Sequence, residues 1–537
     1  VHHRRRRHVH GTPHGRAMTD ATRPKGLGAW MGLSFLGGAA VMNGEIAAGR
    51  LLAPHLGTST TTWAMLIGTV LGSLALGNLL GGWLSARGAA SRWIVRLMLS
   101  SSLLFAALPR VVPWVLSSSL AHFRAGNASS LGMLAALTGL AIALPIGSLG
   151  ALPPLVMHAA GNAGDGEATD KLGRLAGRLS ALGTLGSLVG TFGAGLVLLP
   201  WLGTRATFDV AAVLLSVGAA AFAFRARARR EAIVGLSTST VTVALSFLPQ
   251  STPAPAHGRL LWTGESRHNH IAVVERGGER QIRVNDGFAV QSFARLDGEL
   301  PVRDVWAYYA MAPSYGTRPT PERVLLLGLG GGTSAEVFRR LYPAASVVGV
   351  ELDAAVVEAG RKWLGFELPE ASVIIDDARP FLEAEAERAP GTKDVIVLDA
   401  FQFPYVPFQL ATVEFFAAAR RCLSPGGVLM VNAGRHGEER GVVHALARTM
   451  AQVFPRVQAA DPAGRSNTIL VATEHAPAEA VGITGLSVSA QTAGVLRDLA
   501  ARHAPMRPAS FPADTPVLTD DRAPVEWLTD RIVWRAL

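Results

Sequence analysis

Apolar runs of two different kinds divide this chain. Up to about Leu248 they are long. Trp30–Leu52, Trp63–Leu84, Trp93–Leu116, Leu131–Met157, Leu179–Leu199 and Val210–Phe224 approach or exceed the roughly 20 apolar residues a helix needs to cross a bilayer. A seventh run, Ile233–Leu248, is richer in Thr and Ser. This pattern predicts a basic tail over residues 1–26, then an α-helical transmembrane bundle of six or seven helices over 27–249. Glycines four apart, Gly77 with Gly81 and Gly186 with Gly190, predict faces where helix backbones approach closely. Beyond Thr252 the runs shorten. HIAVVERGGERQIRVNDGFAVQS alternates about the pair Gly277-Gly278, which predicts a hairpin in a small β module over 250–320. From 321 to 537, VLLLGLGGG, VVGVELD, VIIDDARPFL, VIVLDAF and LSPGGVLMVN read as buried parallel strands. Most of these strands end on Gly or an acid. They predict an α/β, Rossmann-like doubly wound domain with its site at the carboxyl edge.

Composition changes the picture in two places. The net charge is +10, but much of the excess lies in VHHRRRRHVH and in Arg225–Arg230. Charge so placed flanks membrane spans and points away from nucleic acid. The tail is read as a basic extension or as sequence upstream of a start at Met18, with no cleavable signal evident. The single cysteine, Cys422, excludes an intrachain disulfide and is expected to be a buried small apolar residue. Lys and Arg near the span ends set orientation. Arg87, Arg92, Arg96, Lys171, Arg174, Arg178 and Arg225–Arg230 all fall on one side, the cytoplasmic one. Six spans then leave the C-terminal half in the cytoplasm of a bacterial inner-membrane protein, and seven leave it outside. The weakness of the seventh run favours six. Glu45 and Arg50, in or beside the first span, either serve function, or pair with each other or lie at the membrane interface.

The candidate chemistry lies at successive strand ends. GLGGGTSAEVF, with Gly328 and Gly330, opens a helix and lets backbone approach a ligand. Glu351 ends the next strand about twenty residues on, where an acid accepts ribose hydroxyls. Asp377, with Asp376 as its competitor, ends the third strand, where it can accept from an adenine amino group. Asp399 ends the fourth and faces the crevice, or else caps the next helix. No metal is expected.

Taken together, ESRHNHIAVVE, VNDGFAVQS, the glycine loop, VELD, DDARPFL, LDAF, SPGGVL and TDDRAPVE resemble the spermidine synthase family of aminopropyltransferases. The membrane half, with GEIAAGRLLAPHLGTSTTTWA, is similar to the bacterial type that carries a fused multi-span domain. The resemblance implies a class I methyltransferase-like fold. It implies transfer of a 3-aminopropyl group from decarboxylated S-adenosylmethionine to putrescine or a related amine, releasing methylthioadenosine. It also implies that Asp399 is the catalytic base, and that Glu351, Asp377, Gln291, Asn269, Gly328 and Gly330 hold the nucleoside. The sequence departs from the family at His268-Asn269 and at Tyr308-Tyr309-Ala310. It also has Gln402 where a second, diamine-binding aspartate is usual. Gln402 and Tyr308 are therefore expected at the amine, with Asp520, Asp521, Asp297 or Glu299 supplying the missing charge. The alternatives are a methyltransferase using intact S-adenosylmethionine, or a polyamine-binding sensor or transporter; an NAD dehydrogenase fits least. Lipid is an expected partner, nucleic acid is not, and a homodimer is left open.

Overall fold

The computed structural model describes residues 27–56, 60–124, 129–161, 169–226, 229–246, 258–285, 290–400, 406–435, 439–462 and 467–529. Its first part is a helical bundle: α1 (Leu27–Leu56), α2 (Thr60–Ala86), α3 (Ala90–Arg124), α4 (Ser129–Gly150), α5 (Leu152–Gly161), α6 (Thr169–Phe192), α7 (Leu199–Arg225) and α8 (Arg229–Ser246). Among the described residues, four helical stretches are long and apolar enough to cross a membrane: Thr62–Ala86, Ala90–Val112, Ala141–Gly161 and Gly173–Arg225. The last is 53 residues long. Straight, it would run to about 80 Å against a hydrocarbon core of about 30 Å. A π-helical turn at Gly193–Leu198 and a break at Gly203 (φ 80°, ψ 175°) divide it into an outgoing and a returning arm.

The paired glycines do what their spacing predicts. A Cβ on Gly77 or Gly81 would stand 2.2 or 2.3 Å from the carbonyl of Gly147 or Ala151, so α2 lies directly on the α4–α5 segment. Gly186 and Gly190 meet the carbonyls of Phe35 and Ala39 in the same way and bring α6 onto α1. In both pairs the numbers rise together, so these helices run parallel. α7 and α8 are antiparallel, with Ser216 bonded to Ser239 at 2.7 Å and Gly235 set against Ala220. A buried ion pair, Arg110 to both carboxylate oxygens of Asp209 at 2.9 and 3.0 Å, ties α3 to α7.

With α4 and α5 counted as one unit, the described helices make seven rods; the Thr- and Ser-rich Arg229–Ser246 is a full helix packed on α7, although it is not one of the four apolar stretches. Its hydroxyls turn back onto the helix: Thr238, Ser239 and Thr240 each donate to the carbonyl four residues before. They are thereby satisfied without water.

That domain begins with an antiparallel meander, β1 (Arg259–Glu265), β2 (His270–Arg276), β3 (Glu279–Val284) and β4 (Val290–Arg295). Gly277 (φ 60°) and Gly278 (φ 77°) form the β2–β3 turn, since a two-residue hairpin with matching twist needs positive φ at both positions. The main domain follows as α9 (Asp304–Met311), β5 (Arg323–Leu327), α10 (Thr333–Leu341), β6 (Ser346–Glu351), α11 (Ala354–Ala359), β7 (Val373–Ile375), α12 (Ala378–Arg388), β8 (Lys393–Leu398), α13 (Val413–Cys422), β9 (Leu423–Gly434), α14 (Gly441–Met450), β10 (Arg456–Ala460), β11 (Asn467–Thr473), α15 (Ala490–Arg502) and β12 (Arg507–Pro508).

The sheet order is β12-β10-β11-β9-β8-β5-β6-β7. β7, β6, β5, β8 and β9 are parallel; β11 and β10 close the edge antiparallel. The strand order reverses between β5 and β8, and a crevice opens at such a switch point. Helices on both faces bury the sheet, which is why its strands read as continuous apolar runs: Leu325, Leu327, Ile396 and Val431 pack on one face, Val324, Leu326, Val397 and Met430 on the other. Cys422 is fully buried at the end of α13, as expected.

Candidate active site

At the switch point lies a cavity of about 350 Å³, bounded by the carboxyl ends of β5, β6, β7 and β8 and roofed by the meander. The glycine loop forms its floor. Gly328 (φ 91°) is forced into the left-handed region, and a Cβ there would stand 2.4 Å from the Asp399 carbonyl. Bonds across the roof fix the loop: Gly331 N–H donates to Ser292 Oγ at 2.8 Å, and Phe293 N–H to Thr333 Oγ1 at 2.7 Å. Gln291, beside Ser292, faces the cavity from β4.

Glu351 lies at the end of β6. Its carboxylate accepts from Gly330 N–H at 2.8 Å and from Asp353 N–H at 3.0 Å. Burial pushes its pKa up, and those two N–H groups pull it back. Asp353 caps α11 through one oxygen. Its other oxygen accepts from Ser266 Oγ at 2.5 Å and Asn269 Nδ2 at 2.8 Å. Asn269 therefore stands in the cavity wall with its amide already engaged, by Asp353 and by Asn285. Asp376 and Asp377 both line the cavity. Asp377 caps α12, accepting from Arg379 N–H at 2.8 Å, and the helix after Asp399, α13, is capped by Thr412.

Asp399 sits at the end of β8, reached through the cavity and otherwise enclosed by protein. Asn432 Nδ2 donates to its Oδ1 at 2.9 Å, and Asn467 Nδ2 donates to Asn432 Oδ1 at 2.9 Å, so the Asn432 amide has a fixed orientation. The buried Tyr309 hydroxyl lies beside Asp399 without a bond of full hydrogen-bond geometry. Burial raises the Asp399 pKa, against the lowering effect of Asn432 and Tyr309.

The expected amine-side residues fall elsewhere. Tyr308 is fully buried away from the cavity, its hydroxyl donating to the Ala504 carbonyl at 3.1 Å and its ring edge-on to His503. Consecutive helical residues point about 100° apart, and in α9 it is Tyr309 that turns to the site. Asp520 is held by Arg379 at 3.0 and 2.7 Å and by Thr412 at 2.7 Å, which lowers its pKa; it does not line the cavity. Asp521 is exposed outside it. Asp297 pairs with Arg295 on the surface. Gln402 lies outside the described residues. The acid that does reach the cavity is Glu526, carried there by the segment that Asp520 anchors. The sequence signal for Glu526 is the PVEWL end of TDDRAPVEWL, six residues beyond Asp520.

Among the described residues the lining thus holds Glu351, Asp376, Asp377, Asp399 and Glu526, with His268 and neither lysine nor arginine. Five carboxylates around one cavity make a negative potential that favours a cationic ligand. The cavity suits a flat nucleoside at the Gly328–Asp377 side and positive charge near Asp399.

Comparison with known proteins finds similarity through the sheet domain. Residues 311–461 match the spermine/spermidine synthase domain. A probable polyamine aminopropyl transferase of Bifidobacterium longum is 31% identical over 222 residues, 40% of this chain and 48% of that protein. The chain thus spans about half the length of that relative. A polyamine aminopropyltransferase of Mycobacterium tuberculosis is 27% identical over 391 residues, 68% of this chain and 71% of the other. Among solved structures, a probable spermidine synthase from Corynebacterium glutamicum covers 48% of this chain and 98% of its own, at 24% identity and a TM-score of 0.36. Through its sheet domain, this chain is similar to the spermine/spermidine synthase family.

Proposed function

We propose that the protein is a membrane-embedded aminopropyltransferase. In this reading it moves a 3-aminopropyl group from decarboxylated S-adenosylmethionine to putrescine or a related amine. The observation that carries it is the cavity with five carboxylates and no lysine or arginine. The donor brings a sulfonium and a free ammonium, and the acceptor brings at least one more ammonium. Every charged group in such a reaction is cationic before transfer. Intact S-adenosylmethionine adds a carboxylate, for which the described lining has no lysine or arginine.

The chemistry then follows from the chain's own residues. Glu351 accepts the ribose hydroxyls, Asp377 the adenine amino group, and Gln291 and Asn269 wall the nucleoside from above. The acceptor nitrogen attacks the propyl carbon next to sulfur. The carbon–sulfur bond breaks toward sulfur, leaving neutral methylthioadenosine. The new secondary ammonium gives its proton to Asp399, whose raised pKa brings it nearer to that task. Tyr309 and Asn432 hold Asp399 in place. Glu526 takes the role that Gln402, Asp520 and Asp521 were expected to share: it receives the far ammonium of the acceptor. The bundle holds the enzyme in the bilayer.

The test uses the full chain in detergent or nanodiscs, with decarboxylated or intact S-adenosylmethionine and a panel of mono- and diamines. Mass spectrometry should find methylthioadenosine with the decarboxylated donor and a diamine. S-adenosylhomocysteine as the sole nucleoside product overturns the reading in favour of a methyltransferase. Neither product leaves a binding protein.

A further inference from the structure

The sequence offered Arg50 as a partner for Glu45. Instead, Arg50 leaves the bundle. From α1 its guanidinium donates to the carbonyls of His268 at 3.0 Å and Ser266 at 2.5 Å, more than 200 residues away. Those carbonyls belong to the β1–β2 loop. The same loop sends Ser266 Oγ and Asn269 Nδ2 to Asp353, whose N–H holds Glu351. His268 and Asn269 are themselves part of the cavity wall. A continuous series of bonds therefore runs from the first helix of the bundle to the acid placed at the ribose.

A second contact reaches the other end of the cavity. Thr60, the first residue of α2, donates through its backbone N–H at 2.7 Å and its hydroxyl at 2.5 Å to Glu526. Both bonds fall on Oε2, so Oε1 is left to turn toward the cavity that Glu526 lines. Without those donors the carboxylate would sit on a side chain with three free torsions at the mouth of an acidic pocket.

A third contact, Thr204 N–H to Glu265 at 3.2 Å, joins the break at Gly203 to the end of β1. It shows that docking as such does not require a cavity residue. The other two contacts both end on one.

We propose that the helical bundle is a working wall of the transferase site, with Arg50 a positioning residue for the nucleoside end and Thr60 a positioning residue for the amine end. The bundle on this view does more than tether the enzyme: substrate affinity depends on its being docked. The proposal rests on the aminopropyl-transfer reading for the identity of the two ligands.

The test is a crossed pair of measurements on the full chain in nanodiscs: calorimetric binding of methylthioadenosine, and KM for the amine found above. Arg50→Ala removes two charge-assisted bonds and should weaken methylthioadenosine about tenfold while leaving the amine KM unchanged. Arg50→Lys, which can reach one carbonyl, should recover part of that loss. Thr60→Val keeps the backbone donor and loses the hydroxyl. It should raise the amine KM by about three- to tenfold and leave methylthioadenosine binding alone. General damage to the bundle would move both constants together and lower kcat, and that result overturns the proposal. So does a pair of variants in which neither constant moves. Wild-type protein that neither binds methylthioadenosine nor turns over an amine overturns the functional reading itself, a result visible before any variant is made.

Discussion

Asp399 carries two opposed requirements. To accept a proton it must be ionised, yet it is enclosed by the β8 strand end, Tyr309 and Asn432, and burial raises its pKa. Activity should therefore fall as pH drops through that raised value. Asn432→Leu removes a donor that stabilises the carboxylate, so the acid limb of kcat should move to higher pH, by about one unit if the bond contributes about 1.4 kcal/mol. The same shift bears on stability. A carboxyl whose folded pKa lies above its unfolded one favours the fold while it is protonated. That contribution is present below the ordinary aspartate value and is lost as pH rises through the raised folded value. At neutral pH the ionised Asp399 thus weakens the fold. Asp399→Asn should lower turnover by about 10²- to 10⁴-fold and at the same time raise Tm. Turnover measured beside a thermal melt checks both signs, and an Asn variant that keeps its turnover removes Asp399 as the base.

At the scale of elements, the glycine loop and the C-terminal segment bring the two substrates to Asp399. Gly328→Ala places a methyl 2.4 Å from the Asp399 carbonyl and strains a φ of 91°. It should cost about 1–3 kcal/mol of stability and abolish measurable methylthioadenosine binding. Gly277→Ala strains a similar φ in a turn with open space around it, so it should cost about 1–2 kcal/mol and leave binding untouched. Glu526→Gln keeps the shape of the side chain and the Thr60 contact but removes the charge. The amine KM should rise about tenfold or more, with nucleoside affinity unchanged. A Gln variant with wild-type KM would return the search for the amine-binding acid to the other carboxylates of the cavity. These elements also mark where sequence reading succeeds and stops. The strand ends at Gly328, Glu351, Asp377 and Asp399 were legible because a parallel sheet buried on both faces leaves continuous apolar runs, and its polar residues begin where the strands stop. Within a helix, Tyr308 and Tyr309 differ by about 100° of rotation, and an isolated pair carries no phase. Asp520 was singled out and Glu526 was not, because the partner that occupies Asp520, Arg379, lies 141 residues away. The acceptors of Arg50 were hidden for the same reason, 216 and 218 residues distant.

At the scale of the whole molecule, the direction of the helices decides where the site faces. Arg50 near the end of α1, Thr60 at the start of α2, Thr204 at the start of α7's return and the end of α8 all lie at the bundle end that meets the sheet domain. The opposite end holds the turns between α2 and α3, α5 and α6, and α7 and α8. That end carries Arg87, Arg92, Arg96, Lys171, Arg174, Arg178, Arg225, Arg229 and Arg230, whereas the domain end has Arg50, Arg110, Arg124 and Arg205, with Arg110 paired to Asp209. Lys and Arg in short loops favour the cytoplasmic side. With α8 crossing as α7 does, the expected outcome is a sheet domain facing away from the cytoplasm; the six-span reading expects it inside. The lone Cys422 is buried, so introduced cysteines can be read against a silent background. Glu387→Cys, exposed on α12, should react with a membrane-impermeant maleimide in right-side-out vesicles, whereas Ala86→Cys, exposed at the basic end, should react only after permeabilisation. The reverse pattern would mean that the bundle is inserted against its own charge, and that the acidic pocket draws on the cytoplasmic pool of nucleoside and amine.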